Sequence, residues 1–159
     1  MFSLQKNFFM NSSIQQLENI ISTYISLLEK LTEENASPKP LPDKWSRKEL
    51  VGHMVDSAQN NIRRFIVAQY ETNPAISYAQ DHWVAAADYQ HYPIQDLIQL
   101  WILLNRHLVR VLKNIPVDMY SNEVLTGSRH SIEWLAADYN KHLLHHLHQV
   151  LNLKEVAYP

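Results

Sequence analysis

The chain has 159 residues, enough for one domain with a complete hydrophobic core, and 46% of it is hydrophobic, an ordinary globular share. It has no cysteine, which excludes disulfides, thiolate metal ligands and a cysteine nucleophile; thiol chemistry would need a thiol arriving as a substrate. A formal charge of −2 gives no electrostatic reason to expect nucleic acid, and no apolar run approaches the roughly 20 residues that span a bilayer, so a cytoplasmic protein is the default expectation.

Residues 1–10 lack the apolar core of a signal peptide and are expected to form a disordered N-terminal extension, with Met10 as an alternative start. Residues 11–159 are expected to be a single domain. Ser13-Ile14-Gln15-Gln16 reads as a capping box that opens a helix to about Glu34. Its apolar positions Leu17, Ile20, Ile21, Tyr24, Leu27, Leu28 and Leu31 follow helical spacing. Three prolines then make Asn35 to Asp43 a rigid connection. Ser46-Arg47-Lys48-Glu49 is a second capping box, and its helix runs to about Tyr70. Leu50, Met54, Ser57, Asn61, Phe65 and Ala68 form the inner face, with His53 beside it and Arg64 further along the same edge.

From Glu71 to Tyr92 the pattern loosens, and a short helix is expected within Tyr78 to Val84, because a structureless connection of that length is unusual in a compact domain. Pro93 suits the first turn of a third helix, whose stripe runs from Leu97 through Trp101 and Leu108 to Ile115 before Pro116 ends it. Val117 to His130 is a connector containing Gly127, and Ser131 is an N-cap for a fourth helix to about Leu153. Two glycines in the whole chain also favour helices over hairpins. The expected fold is all-α: a four-helix bundle with a short extra helix in its long middle connection.

The histidines carry the chemistry. On the fourth helix the core face is Ile132, Leu135, Ala136, Tyr139, Leu143, Leu147 and Val150; His146 falls inside it, His142 at its edge, and His145 and His148 on the solvated side. Two imidazoles four residues apart can reach one metal ion, and His53 on the second helix would complete a facial set with open positions, suited to Zn²⁺, Ni²⁺ or Fe²⁺. The competing reading is three interface histidines hydrogen-bonded to neighbours or water. Convergence requires the second and fourth helices to be neighbours. No glutamate follows His142, so this is not the HExxH metalloprotease signature.

Asp56 and Asp138 lie one turn from His53 and His142 and could accept their second N–H, although a solvated helix charge is equally expected. Asp81 and His82 are the catalytic candidates, as proton acceptors near the metal; a plain helix cap is the competing role. His130 and Arg64 could also approach the site, whereas His91 and His107 are expected on the surface. Gly52 would admit a close neighbour beside His53.

The run from Trp45-Ser46 through Glu49-Leu50 to His53-Met54 resembles the W-S-x-x-E-(aliphatic)-x-x-H-(aliphatic) signature of the DinB-like superfamily, which includes YfiT-type proteins. The segments 80–87 and 97–108, and Ser131 to Leu135 followed by His142, His146, Gln149 and Val150, resemble its later regions. This resemblance, spanning Leu17 to Tyr158, implies a four-helix bundle, often a homodimer, with Zn²⁺ or Ni²⁺ held at the positions of His53, His142 and His146. It implies a metal-dependent hydrolase, or a transferase that uses a low-molecular-weight thiol such as bacillithiol or mycothiol, acting on a small molecule. The alternative is a non-catalytic dimeric bundle with a structural or vestigial metal site, acting in ligand binding. That alternative expects a pocket poor in polar groups.

Overall fold

In the computed structural model, residues 2–158 are described, with side chains from Phe8 onward. Four long helices, α1 (Phe2–Leu28), α3 (Arg47–Val67), α5 (Ile94–Lys113) and α6 (Ile132–Val150), form the bundle. Two short ones, α2 (Glu33–Ala36) and α4 (Gln80–Ala86), sit in its connections. None is long and apolar enough to cross a membrane.

Both α1 and α3 pack against α5 and α6. Going round the bundle the order is therefore α1, α5, α3, α6, and the first and third connections cross it diagonally. The longest connection joins the neighbours α3 and α5. Its length is not needed for reach and goes instead into a wall beside α3. The required adjacency of α3 and α6 is met.

Local chemistry accounts for most boundaries. Ser46 Oγ accepts the Glu49 N–H at 3.1 Å while the Glu49 carboxylate accepts the Ser46 N–H at 2.7 Å, the expected capping box of α3. Ser131 Oγ accepts the Trp134 N–H at 3.2 Å to open α6. The first helix stops at Leu28, short of the expected Glu34, because Thr32 and Asn35 form a capping box of their own and start α2. Lys48, almost fully buried, pairs with Glu33 and ties α2 to α3.

Two further expectations need correction. The expected extension over 1–10 falls partly outside the described residues, but the backbone is helical from Phe2 and Met10 is fully buried. No proline or glycine precedes Ser13 to stop the helix, so it runs on and uses Met10 as a core residue. The connector before α6 contains an antiparallel hairpin, β1 (Glu123–Leu125) and β2 (Arg129–Ser131), turning at Gly127 with φ of 106°. Ile76 and Pro74 bond to the backbone of Leu125, so the middle connection and this hairpin are joined above one end of the bundle. All seven residues assigned to the α6 core face are buried.

Candidate metal centre

His53 reaches the interface from the second turn of α3, and His142 and His146 meet it from successive turns of α6. Their ligand atoms all lie within 4.8 Å of one another. The Nε2 atoms of His53 and His142 are 3.0 Å apart, and the His146 ring centre is 4.7 Å from that of His53. His53 is 1% exposed. Burial lowers all three from the ordinary 6.5, His53 and His146 to about 4 and His142 to about 2, with the neighbouring imidazoles adding a smaller push. At neutral pH the cluster is uncharged and its nitrogen lone pairs are free of protons to the extent that a ligand set requires.

The tautomer of His146 follows from a chain of hydrogen bonds. Val156 offers only a carbonyl, so His145 Nδ1–H must donate to it, at 2.7 Å. His145 Nε2 then accepts from the Gln149 amide at 2.9 Å, and Gln149 Oε1 accepts from His146 Nδ1–H at 2.8 Å. That leaves Nε2 of His146 as a bare acceptor. His142 pairs its Nδ1 with Ser57 Oγ at 3.3 Å, which holds the ring with Nε2 turned inward toward His53.

His53 Nδ1 is buried without a partner, and so is Asp56 Oδ2, one turn along α3. A ligand that bonds through Nε2 carries its proton on Nδ1 and needs such an acceptor. The donor set and its neutrality fit a divalent ion, although Asp56 Oδ2 and His53 Nδ1 are not bonded to each other. Asp56 spends its other oxygen on the Tyr89 hydroxyl at 2.6 Å, and burial raises the carboxyl from 3.8 to about 6. Tyr89 is also the close neighbour of Gly52: a Cβ there would meet its ring at 2.2 Å. Asp138 bonds the Tyr158 hydroxyl at 2.9 Å rather than His142.

The cluster opens on a cavity of about 620 Å³ whose walls include Ser57, Asn61, Arg64, Tyr78, His130, Trp134, Asp138 and Tyr158. His130 stands there as expected, stacked on Trp134 with centroids 3.6 Å apart. Asp81 and His82 do not reach it. Helix α4 turns Val84 into the core, which leaves both residues exposed while Gln80 lines the cavity. His91 and His107 are exposed, as expected.

His145 and His148 are half-buried rather than solvated, because the chain folds back after α6. Asn152 takes the left-handed conformation, φ 53°, and His148 Nδ1–H donates to the Lys154 carbonyl at 2.6 Å. This reversal brings Tyr158 to 5.3 Å from the His142 ring. Sequence reasoning missed Tyr158, Tyr78 and the role of Gln149. The signals were an asparagine just past the helix end and a glutamine three residues after a candidate ligand.

Residues 16–150 match the sequence profile of the DinB superfamily. A protein of Halalkalibacterium halodurans named "Putative metal-dependent hydrolase" is 28% identical over 137 residues, 84% of this chain and 80% of that protein. A Bacillus mycoides protein of the same name is 25% identical over 108 residues, 67% of this chain and 62% of its own length. Among solved structures, Bacillus subtilis YfiT, described as a probable metal-dependent hydrolase with an unusual four-helix bundle topology, superposes with a TM-score of 0.80 at 20% identity. It covers 90% of this chain and 84% of its own. A mycothiol-dependent maleylpyruvate isomerase superposes with a TM-score of 0.71 at 15% identity, over 93% of this chain and 62% of that one. At these identities the two structures establish the fold.

Proposed function

The chain belongs to the DinB superfamily, and from that premise we propose that it is a metal-dependent enzyme acting on a small molecule, either as a hydrolase or as a transferase that uses a low-molecular-weight thiol. The observation that carries this reading is the convergence of three neutral imidazoles, His53, His142 and His146, at the wall of a polar cavity. Zn²⁺ or Ni²⁺ is the proposed ion. The chemistry such an ion supplies when bound is ionisation of a water or thiol near neutral pH, since three neutral ligands leave its charge uncompensated.

The protein's own groups do the rest. Gln149 and His145 hold His146 in one tautomer, and Ser57 restrains His142. Trp45 packs its ring 5.0 Å from His53 and helps keep water off that side. His130 makes no side-chain hydrogen bond among the described residues and lines the cavity, so we assign it the part of proton carrier, the usual work of an imidazole. Asp81 and His82, exposed on α4, are poorly placed for that part.

The polar lining speaks against the non-catalytic alternative, which expects few polar groups beside the metal. Absence of cysteine fits a thiol delivered as cosubstrate, and a protein of this fold is named for its mycothiol dependence. We also propose a homodimer, with the 46% exposed Trp134 at its edge. The test is turnover by Zn²⁺- and Ni²⁺-loaded protein in two assays. One offers activated esters and amides; the other offers bacillithiol or mycothiol with an electrophile. Activity that disappears when His53, His142 and His146 are replaced by alanine is expected. Full turnover by that triple variant would refute the reading.

A further inference from the structure

His53, Ser57, Asn61 and Arg64 succeed one another along α3 at helical spacing, so they form one stripe, and the last three line the cavity. An arginine at such a position is ordinarily held by a carboxylate. Arg64 is not. Its Nε donates to the Ile76 carbonyl at 3.1 Å and its Nη1 to Asn61 Oδ1 at 3.4 Å. Among the described residues no carboxylate oxygen lies within 4.0 Å of the guanidinium.

The cavity's own carboxylate, Asp138, accepts from the Tyr158 hydroxyl and favours the Arg64 charge only from beyond ion-pair distance. Nη2 and the second N–H of Nη1 are left with no protein partner among the described residues, on a side chain that burial strips of much of its water. A charge in that state is unfavourable unless something anionic completes it. The aromatic floor is in place too, because the guanidinium carbon sits 5.9 Å from the Tyr78 ring centre.

We infer that Arg64 is the docking point for a carboxylate of the substrate, on the same cavity wall as the histidine cluster and further along α3. Naming the histidine end as the reacting end rests on the function proposed above; the carboxylate subsite itself does not. The Cα atoms of His53 and Arg64 are separated by about 16 Å of helix rise. The arginine side chain leans back toward the helix N-terminus, and its charge is felt at His142. The occupant is therefore a short acid, with a few carbons between the carboxylate and the atom that reacts. The planar guanidinium fork matches a carboxylate in a way that a lysine ammonium does not.

The test uses two probes that differ only at one end, 3-mercaptopropionate and 3-mercaptopropan-1-ol. Binding is followed in ¹⁵N-labelled protein through the Arg64 Nε–H resonance, with and without Zn²⁺. The acid is expected to bind about tenfold or more tighter than the alcohol and to move that resonance in both forms. Arg64→Gln should abolish the preference and Arg64→Lys should retain part of it. Equal affinity of the folded wild type for the two probes would overturn the inference, as would a preference that survives Arg64→Gln. The wild-type comparison stands even if a variant fails to fold. A metal-free protein that takes up no Zn²⁺ yet still prefers the acid would refute the metal reading and leave the carboxylate site standing.

Discussion

His53 on α3 and His142 on α6 face each other with their Nε2 atoms 3.0 Å apart. Two bare lone pairs would repel at that distance, so in the metal-free protein one of these neutral rings carries its proton on Nε2 and donates it to the other; a bound cation would take that proton's place. Burial makes the all-protonated cluster unfavourable, and the helix packing fixes the approach of both rings. The relationship has consequences that can be measured.

The first concerns pH. In the folded chain His53 and His146 lie at about 4 and His142 lower, against 6.5 for an ordinary imidazole. Between those values the unfolded chain binds protons that the folded one does not, so stability is present above pH 6.5 and is lost as pH falls toward 4. Asp56 acts in the opposite sense: raised from 3.8 to about 6, it contributes below 3.8 and loses that contribution as pH rises through 6. Three groups outweigh one. The unfolding midpoint of metal-free protein should therefore fall steadily between pH 6.5 and 4, and a rise over that range would contradict the burial of the cluster.

Metal affinity should respond differently. Protons compete for the folded ligands only near pH 4, so Zn²⁺ affinity should stay nearly level from pH 7 to 5. Exposed histidines would lose affinity progressively below 6.5. Competition with a chromophoric chelator at several pH values separates the two behaviours.

Gln149 is exposed but fixes the His146 tautomer through its Oε1. Gln149→Ala should weaken metal binding about ten- to hundredfold, the usual effect of losing such a partner. It should leave stability within about 0.5 kcal/mol, as for other surface substitutions. The ¹⁵N shifts of the His146 ring should show both tautomers populated. Unchanged affinity together with an unchanged ring signature would mean that the relay does not position the ligand.

Gly52→Ala brings two effects into conflict. Alanine favours helix over glycine by about 1 kcal/mol. Its Cβ would stand 2.2 Å from the ring of Tyr89, which is itself 4% exposed and held to Asp56. The clash should win, with a net destabilisation of about 1–3 kcal/mol in denaturant unfolding. A neutral or stabilising outcome would show that Tyr89 moves freely.

The four helices, the caps of α3 and α6 and the histidine cluster were legible because each is written in local spacing, whereas the capping box expected at Ser13 lies inside α1 and opens nothing. Ser46 with Glu49, and His142 with His146, are relations within one or two turns. The diagonal order of the bundle was not legible, because periodicity says which face is buried and not which partner covers it. The placing of Asp81 and His82 failed for a related reason: α4 is only seven residues long, and Val84 alone sets which side faces inward. Tyr158 reaches the cavity through a chain reversal at Asn152, a dihedral choice that tertiary bonds from His145 and His148 stabilise.

The central claim is that His53, His142 and His146 hold one divalent ion. Elemental analysis of protein purified without an affinity tag, beside its His142→Ala variant, tests it most directly. About one equivalent of Zn²⁺ or Ni²⁺ per chain is expected in the wild type, as for a single three-histidine site, and almost none in the variant. No uptake by the wild type after reconstitution with Zn²⁺, Ni²⁺ and Fe²⁺, or equal retention by the variant, would contradict the claim.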